Sequence, residues 1–247
     1  MPRSIVFGNQ QMLVCFDSDY TIRDIYHPHV GLENHLNGHK CRIGIWVKGK
    51  FSWLEEEQWD KEIKYHEQSL VGNSVFNNQK LSTKLIIKDC VYPRKNIFVR
   101  EITIYNISEQ EKEYRFFFSH DVQIYGTQIG ITAYYEPDSN GIIHYLNDRW
   151  FLFRGRGDNK DLDGFATGRA HFGDSLGTYK DAEDGELSGN PIDQGTFDYT
   201  LQINLKVGGC NKSSGQYWFC IGHDHNEVDD LNEYIRDVGI SKAINET

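Results

Sequence analysis

The chain has 247 residues, with 26 Lys or Arg against 36 Asp or Glu, and its formal charge is therefore −10. This acidic balance gives no electrostatic reason to expect a phosphate backbone as a partner, and nucleic acid is not expected. No run of about 18 apolar residues predicts a membrane span and the N-terminus has no apolar segment of a secretion signal, so we expect a cytoplasmic protein with no membrane partner.

Short apolar runs bounded by Gly, Asn or Asp predict β-strands along most of the chain. In chain order these runs cover residues 5–7, 12–16, 43–47, 114–118, 133–135, 142–145, 150–153 and 217–221. Apolar and polar residues alternate in 80–88 and 101–104, and they alternate without a fault from Thr196 to Val207, which predicts a half-buried strand. More than ten strands and almost no helix predict an all-β fold, a large antiparallel two-sheet β-sandwich.

The segment 155–193 is dense in Gly and Asp, and its pattern predicts a long loop without a strand longer than a few residues. Its acidic residues Asp181, Glu183, Asp184 and Glu186 suggest calcium. Their spacing fails the EF-hand pattern, however, because Gly185 comes too early and no bidentate Glu closes the loop. We interpret them as a solvated turn.

One amphipathic helix is predicted near the end of the chain. Asn226 is the predicted cap and Gly239 the predicted stop. The apolar residues of one face are Val228, Leu231, Ile235 and Val238. In a lone sandwich this face would fold back on a sheet.

The five cysteines are odd in number and widely spaced, which favours buried reduced thiols over a disulfide framework. They are Cys15, Cys41, Cys90, Cys210 and Cys220.

The stretch from Ile22 to Leu54 combines three strand-like pieces with a loop crowded with His, Asn and Glu. Together with residues 1–9 and 142–145, it resembles the N-terminal β-sandwich domain of prokaryotic and archaeal glycoside hydrolase family 15 proteins, the glucoamylase, glucodextranase and trehalase-like group. The positions that match in pattern are Tyr26, Pro28, Gly31, Glu33, Asn34, His35, Gly38, His39 and Trp46. His27 departs from the pattern, since an aromatic residue is common there.

This resemblance implies a supersandwich in residues 1–225 and a connector helix and tail in 226–247. It implies that the domain is non-catalytic, packs against a helical (α/α)6-type barrel and shapes the cleft for an α-glucan or trehalose. The family's two catalytic glutamates belong to that barrel, which this chain lacks, so the chain alone is not expected to be active. We expect either a domain fragment or a separately encoded subunit, and no cofactor.

The loop residues that we expect to face the partner or the cleft are Tyr26, His27, Glu33, Asn34, His35 and His39. A strand-connecting loop with so many hydrogen-bonding groups must meet water or another polar surface. The alternative is a metal cluster of His27, His29, His35 and His39, but Pro28 interrupts the first pair and no ligand lies at a familiar offset. We therefore expect no metal.

Two other readings stay open. An independent enzyme needs a carboxylate pair, and the weak candidates are Asp24 with Glu33 or Asp121 with Glu136. A free-standing carbohydrate-binding module needs exposed aromatic rings that stack on sugars. Trp53 and Trp59 flank a polar connection, and we expect these two to reach the surface.

Overall fold

Two antiparallel sheets of nine strands each form the described part of the chain, and they confirm the predicted all-β sandwich. The computed structural model describes residues 3–159 and 161–247. Met1 and Pro2, with which the predicted sandwich domain begins, and Lys160 lie outside the described residues.

The strands alternate with short turns through most of the chain. The first nine strands are β1 (Ile5–Gly8), β2 (Leu13–Phe16), β3 (Ile22–Tyr26), β4 (Cys41–Val47), β5 (Lys50–Trp53), β6 (Asp60–Glu62), β7 (Gly72–Asn78), β8 (Thr83–Val91) and β9 (Ile97–Asn106). The other nine are β10 (Lys112–His120), β11 (Thr132–Glu136), β12 (Gly141–Leu146), β13 (Arg149–Arg156), β14 (Gly164–Phe172), β15 (Ser175–Leu176), β16 (Ile192–Gln194), β17 (Phe197–Val207) and β18 (Lys212–Gly222). The α-helices are α1 (Thr178–Asp181), α2 (His225–Val238) and α3 (Ile240–Asn245), and single 3-10 turns cover Ile124–Gly126 and Ala182–Asp184.

The first sheet has the strand order β1-β2-β3-β4-β10-β17-β14-β15, with β5 paired to β4. The second has the order β16-β11-β12-β13-β18-β9-β8-β7-β6. Neighbouring strands are antiparallel throughout these pairings. The central strands of the two sheets face each other across the main core.

β17 shows how the sequence pattern builds this core. Phe197, Tyr199 and Leu201 are fully buried between the sheets, as the alternation predicts,. Asp198 and Thr200 on the opposite face are buried as well, so the strand is not half-buried at its N-terminal end. The reason is that α1 lies over this face, where the Thr178 hydroxyl hydrogen-bonds Thr200 at 2.9 Å.

The segment 155–193 is more regular than its composition predicts. β14 runs for nine residues and pairs with β17 from Gly164 to Arg169. The expectation of a long loop without strands was therefore wrong for this part. Gly164 and Gly168 suit β14 because a Cβ at these positions would lie 2.7 Å from Gln202 of β17 and 2.9 Å from Thr178 of α1,.

Helix α2 covers the outer face of the second sheet. Val228 and Ile235 are buried and Leu231 nearly so, in a second apolar cluster that includes Leu152 and Trp218 of the sheet. Gly239 ends the helix as predicted, but the N-cap is Asp224 rather than Asn226, since the Asp224 carboxylate accepts the Glu227 amide. Three of the four predicted face residues are thus buried within this chain, and Val238 is half-buried.

Four of the five cysteines are buried and all five are free thiols, while Cys210 is exposed. Burial raises the pKa of the Cys41 and Cys90 thiols to about 12. Within residues 3–159 and 161–247, no helix has the length and apolar character needed to cross a bilayer.

Candidate functional site

Four connecting segments meet at one end of the sandwich, which we call the loop end. They are residues 26–40, 121–131, 146–149 and 171–176. The Gln123 amide donates to the His35 carbonyl at 2.7 Å, and the Asn37 side chain donates to the Gly126 carbonyl at 3.2 Å. These contacts hold the two longest segments together.

The segment 26–40 is ordered by hydrogen bonds of its own side chains. Asn34 Oδ1 accepts from the Leu36 amide at 3.0 Å, and the His35 ring contacts the His27 carbonyl at 2.8 Å. Gly31 and Gly38 have φ values of +84° and +94°, a region that glycine enters without strain,. The loop therefore has an ordered conformation, which the two glycines allow without strain.

Two of the predicted surface histidines of this loop are buried. His27 is 1% exposed and His35 is 0% exposed, and the His35 ring packs edge-on against Phe151 at 5.2 Å. Burial lowers the pKa of His27 to about 3 and also lowers that of His35. The expectation that these two side chains face a partner was wrong, because the loop folds inward and plugs this end of the core.

The other four predicted residues of the loop remain partly exposed. They are Tyr26, Glu33, Asn34 and His39. Asn34 Nδ2 donates to Asp24 at 2.7 Å, and the same Asp24 carboxylate binds Arg3. The role of these residues toward a partner or a cleft stays a prediction.

Glu33 forms an ion pair with Arg149 of the second sheet. Arg149 Nη2 lies 3.0 Å from Glu33 Oε2, and its guanidinium also binds Asp148 and lies over the Tyr125 ring. Arg149 is only 6% exposed. Glu33 therefore links the loop to the second sheet and is not free to act as a catalytic acid.

His39, Asp121 and His171 converge on the outer side of the loop end. Asp121 Oδ2 lies 2.9 Å from His39 Nδ1 and 2.6 Å from His171 Nε2. Gln123 Nε2 donates to the other oxygen, Asp121 Oδ1, at 2.9 Å. These are the donor types that bind transition metals, and their ligand atoms all lie within 4.8 Å of one another,.

The electrostatics of this cluster follow from its hydrogen bonds. The bond to Asp121 raises the pKa of His39. Burial by itself would raise the pKa of Asp121, but the bonds from His39 and His171 outweigh it, and the pKa lies below its ordinary value,. The carboxylate is therefore held in its charged form.

His39 and Asp121 were predicted from the sequence for other roles, and His171 was not among the predicted residues. Asp121 follows β10 directly, and continuing the alternation of that strand places Asp121 on the same face as Ser119,. The position of Asp121 could therefore be predicted from the sequence. His171 lies at a register shift between Ala170 and Phe172 and has φ +58°, so no local pattern predicts where its ring lies. Only the pairing of β14 with β17 brings it to Asp121.

Asp198 is a second carboxylate on this face. It accepts from the Thr178 amide at 2.6 Å and from the Tyr179 amide at 3.3 Å. Burial raises its pKa to about 6, and the charge of Asp121 contributes to the rise,. Gly177 is required beside it, because a Cβ there would lie 2.5 Å from the Asp198 carboxylate.

The carboxylates weighed from the sequence for hydrolysis each have a different partner. Asp24 binds Arg3 and Glu33 binds Arg149, while Glu136 lies 3.7 Å from His225. None of these contacts joins the members of a predicted pair, so they give no support to an independent pair of catalytic acids.

Trp53 and Trp59 do not reach the surface as predicted. They are 5% and 3% exposed, and their indole N–H groups donate to Glu183 at 3.1 Å and to Ser52 Oγ at 2.8 Å. Glu183 of the 3-10 turn Ala182–Asp184 and Ser52 of β5 provide these acceptors. Neither ring offers a face for a sugar.

The loop end also carries apolar side chains in water. Leu32 is 84% exposed and Ile129 is 83% exposed. The other large apolar residues exposed in these segments are Val30, Tyr125, Phe172 and Leu176. Six of the eleven exposed large apolar side chains of the described residues thus belong to this end, and such grouping is typical of an interaction surface,.

Comparison with known protein families finds no family that matches this chain. Among curated proteins, an uncharacterized glycosyl hydrolase of Methanocaldococcus jannaschii is 25% identical over 203 residues. The match covers 82% of this chain and 31% of that protein. The chain therefore spans about a third of the length of the curated relative that it matches.

Solved structures show the same fold at low sequence identity. A bacterial glucoamylase in complex with acarbose has a TM-score of 0.75 and 10% identity, over 99% of this chain and 36% of the glucoamylase chain. An aldose epimerase homologue from C. elegans has a TM-score of 0.54 and 9% identity, over 90% of this chain and 99% of its own. The fold therefore occurs both as one part of a larger chain and as nearly an entire one.

Proposed function

We propose that this chain is a non-catalytic β-sandwich domain or subunit of an α-glucoside hydrolase of the glycoside hydrolase family 15 type. It packs against a helical catalytic barrel and shapes one side of the substrate cleft. In this proposal, residues 1–225 form the sandwich and residues 226–247 are the connector. The substrate class is an α-glucan or trehalose.

The observation that carries the proposal is the extent of the similarity. The sequence match covers most of this chain but only 31% of a glycosyl hydrolase, and the structural match covers 99% of this chain but only 36% of a glucoamylase. In both comparisons the match thus covers about a third of a larger protein. This favours a domain whose partner supplies the remaining two thirds.

The surface of the loop end also supports the proposal. Leu32 and Ile129 stand almost fully in water on a chain that buries its terminal helix face. Exposed apolar side chains interspersed with partly exposed polar groups such as Glu33 and His39 are typical of protein–protein interfaces. We therefore propose that the barrel docks at the loop end rather than on α2.

The test is an assay of the isolated chain and of a reconstituted pair. The isolated chain should not hydrolyse maltooligosaccharides, isomaltose or trehalose. Mixing it with the part of the M. jannaschii relative outside the matched region should restore hydrolysis that the relative's part lacks alone. The relative's own matched segment is the positive control.

Two outcomes would contradict the proposal. Turnover by the isolated chain that disappears in Asp121→Asn or Asp198→Asn would show a self-sufficient enzyme. Micromolar affinity of the isolated chain for a glucan, without any restoration of hydrolysis in the mixture, would favour a free-standing carbohydrate-binding module. The burial of Trp53 and Trp59 removes the stacking rings predicted for that second function.

A further inference from the structure

The cluster of His39, Asp121 and His171 joins three segments that are distant in the sequence. His39 precedes β4, Asp121 follows β10 directly, and His171 lies near the end of β14. The His39 side chain is 27% exposed and that of Asp121 17%, whereas that of His171 is 44% exposed. The cluster is thus partly open to water, most of all at His171.

The spacing of the three ligand atoms is close to that of a tetrahedral metal site. Ligands about 2.0–2.1 Å from Zn²⁺ lie roughly 3.3 Å from one another. In the structure, Asp121 Oδ2 lies 2.9 Å from His39 Nδ1 and 2.6 Å from His171 Nε2. A change of less than about 1 Å in each of these two separations reaches the metal geometry, and the two ring nitrogens lie within 4.8 Å of each other,. The exposed His171 has room to make that change.

We propose that His39 Nδ1, His171 Nε2 and Asp121 Oδ2 bind a Zn²⁺ ion at the loop end. Two imidazoles and one carboxylate are a ligand set that zinc accepts, and the exposed side leaves a fourth position for water. Without metal, each ring donates an N–H toward Asp121. On binding, each imidazole carries its proton on the other ring nitrogen instead.

The surroundings of Asp121 fit this role. Gln123 Nε2 holds Asp121 Oδ1 at 2.9 Å and so turns Oδ2 toward the two rings. Gln123 is itself 1% exposed and its backbone amide binds His35, so its position is fixed by the loop end. Outer-sphere partners of this kind orient metal ligands. The nearby carboxylate of Asp198 adds negative charge on the same face.

Zinc would tie the segment 26–40 to β10 and β14. These are the segments that carry the exposed Leu32 and Phe172. The ion would therefore stiffen the surface at the loop end without being part of the core. This inference does not depend on the proposed function, because the ligands all come from this chain.

The test is zinc binding by the full chain after removal of metals with a chelator. The protein carries Cys210→Ser, because Cys210 is an exposed thiol that could bind zinc by itself. Titration with Zn²⁺ against a chromogenic chelator should give one ion per chain, and Co²⁺ should give the visible absorption of a tetrahedral site. His171→Ala and Asp121→Asn should weaken binding by at least about 100-fold, since losing even an outer-sphere partner costs 10–100-fold.

His29→Ala is the matched control. His29 lies in the same segment with a side chain that is 63% exposed, and it does not contact the cluster. It should leave zinc affinity unchanged. Absence of stoichiometric zinc binding, equal binding by His171→Ala, or loss of binding in His29→Ala would each overturn the proposal. Circular dichroism of each variant, above all His171→Ala with its exposed ring, distinguishes lost binding from lost folding.

Discussion

At the scale of single residues, the main core contains an ion pair between the sheet strands β8 and β9. Arg100 Nε and Nη2 donate to the two oxygens of Asp89 at 2.7 and 2.8 Å, and the Tyr20 hydroxyl donates to Asp89 at 2.6 Å. Arg100 is 2% exposed and Asp89 is 0% exposed. Both oxygens of the Asp89 carboxylate thus accept hydrogen bonds from groups that are buried with it.

Replacing one partner of this pair should strongly lower the free energy of unfolding. Arg100→Met should lower the free energy of unfolding by about 3–5 kcal/mol, because it leaves the Asp89 charge buried with the Tyr20 hydroxyl alone. Urea unfolding at pH 7 measures the loss. The control is Lys64→Ala, which removes an exposed ion pair with Glu62 and should change stability by less than about 1 kcal/mol,. Equal effects of the two variants would contradict the role of burial.

Buried histidines should make the fold sensitive to acid. Burial lowers the pKa of His144 to about 3, against an ordinary value of 6.5, and its ring lies among Phe151, Phe197 and Tyr199. The unfolded chain takes up the proton first as the pH falls. The stability from the neutral ring is therefore complete above pH 6.5 and is lost progressively toward pH 3.

His144→Phe should remove this part of the pH dependence. Between pH 7 and pH 4 the unfolding free energy of the variant should fall by roughly 3 kcal/mol less than that of the unchanged chain. Urea unfolding at several pH values compares the two slopes. The comparison uses the slope because the larger Phe ring and the lost contact with Tyr199 alter stability at every pH. Parallel slopes would show that His144 does not titrate on unfolding.

At the scale of elements, α2 shows how a helix is anchored to a sheet. Its capping residue Asp224 follows β18 almost directly, and Glu227 Oε2 accepts from the His223 amide at 2.8 Å. The apolar face then lies on the outer surface of the second sheet, where Trp218 Nε1 donates to Asn232 at 3.0 Å. The cap thus fixes where the helix leaves the strand.

The two possible caps of α2 can be separated by substitution. Asp224→Ala should lower the free energy of unfolding by about 1 kcal/mol, because the Glu227 amide loses its acceptor,. Asn226→Ala should change it by less than about 0.5 kcal/mol, since Asn226 lies within the helix and is exposed,. Thermal or urea unfolding compares the two. A larger loss from Asn226→Ala would restore the cap expected from the sequence.

At the scale of the whole molecule, the two ends of the sandwich differ in their surfaces. The loop end combines exposed apolar side chains with the His39–Asp121–His171 cluster and the Glu33–Arg149 pair. The opposite end carries Ile107 as an isolated exposed apolar residue next to the end of β9. This asymmetry is expected if only one end meets a partner.

Leu32→Asp should weaken association with the catalytic part of the M. jannaschii relative by about tenfold or more. Burying a leucine side chain contributes ~1.5–3 kcal/mol, and 1.4 kcal/mol corresponds to a factor of ten. Ile107→Asp, at the other end and 59% exposed, is the control and should leave association unchanged. Neither variant should alter the unfolding free energy of the isolated chain by more than about 0.5 kcal/mol. Equal weakening by both would place the interface elsewhere.

The sequence by itself determined the fold class and most of the strands. Alternation with period two specifies which side chains of a strand share a face, and it located the strand around Leu201 correctly. The short apolar runs located the strands around Phe116 and Phe151. The helix face of α2 and its stop at Gly239 followed from equally local rules. These features depend only on residues close in the sequence, because the backbone geometry of a strand or a helix sets the period at which its side chains share a face.

The tertiary structure alone decided which polar and aromatic residues are buried and which ones meet. Trp53 was predicted to be exposed, but it is buried and donates to Glu183, 130 residues away. His35 is buried against Phe151 of the other sheet. His39 reaches Asp121 across 82 residues, and His171 reaches it across 50. No local pattern encodes such pairs, because they depend on the order of strands in the sheets and on the loops that fold over their ends.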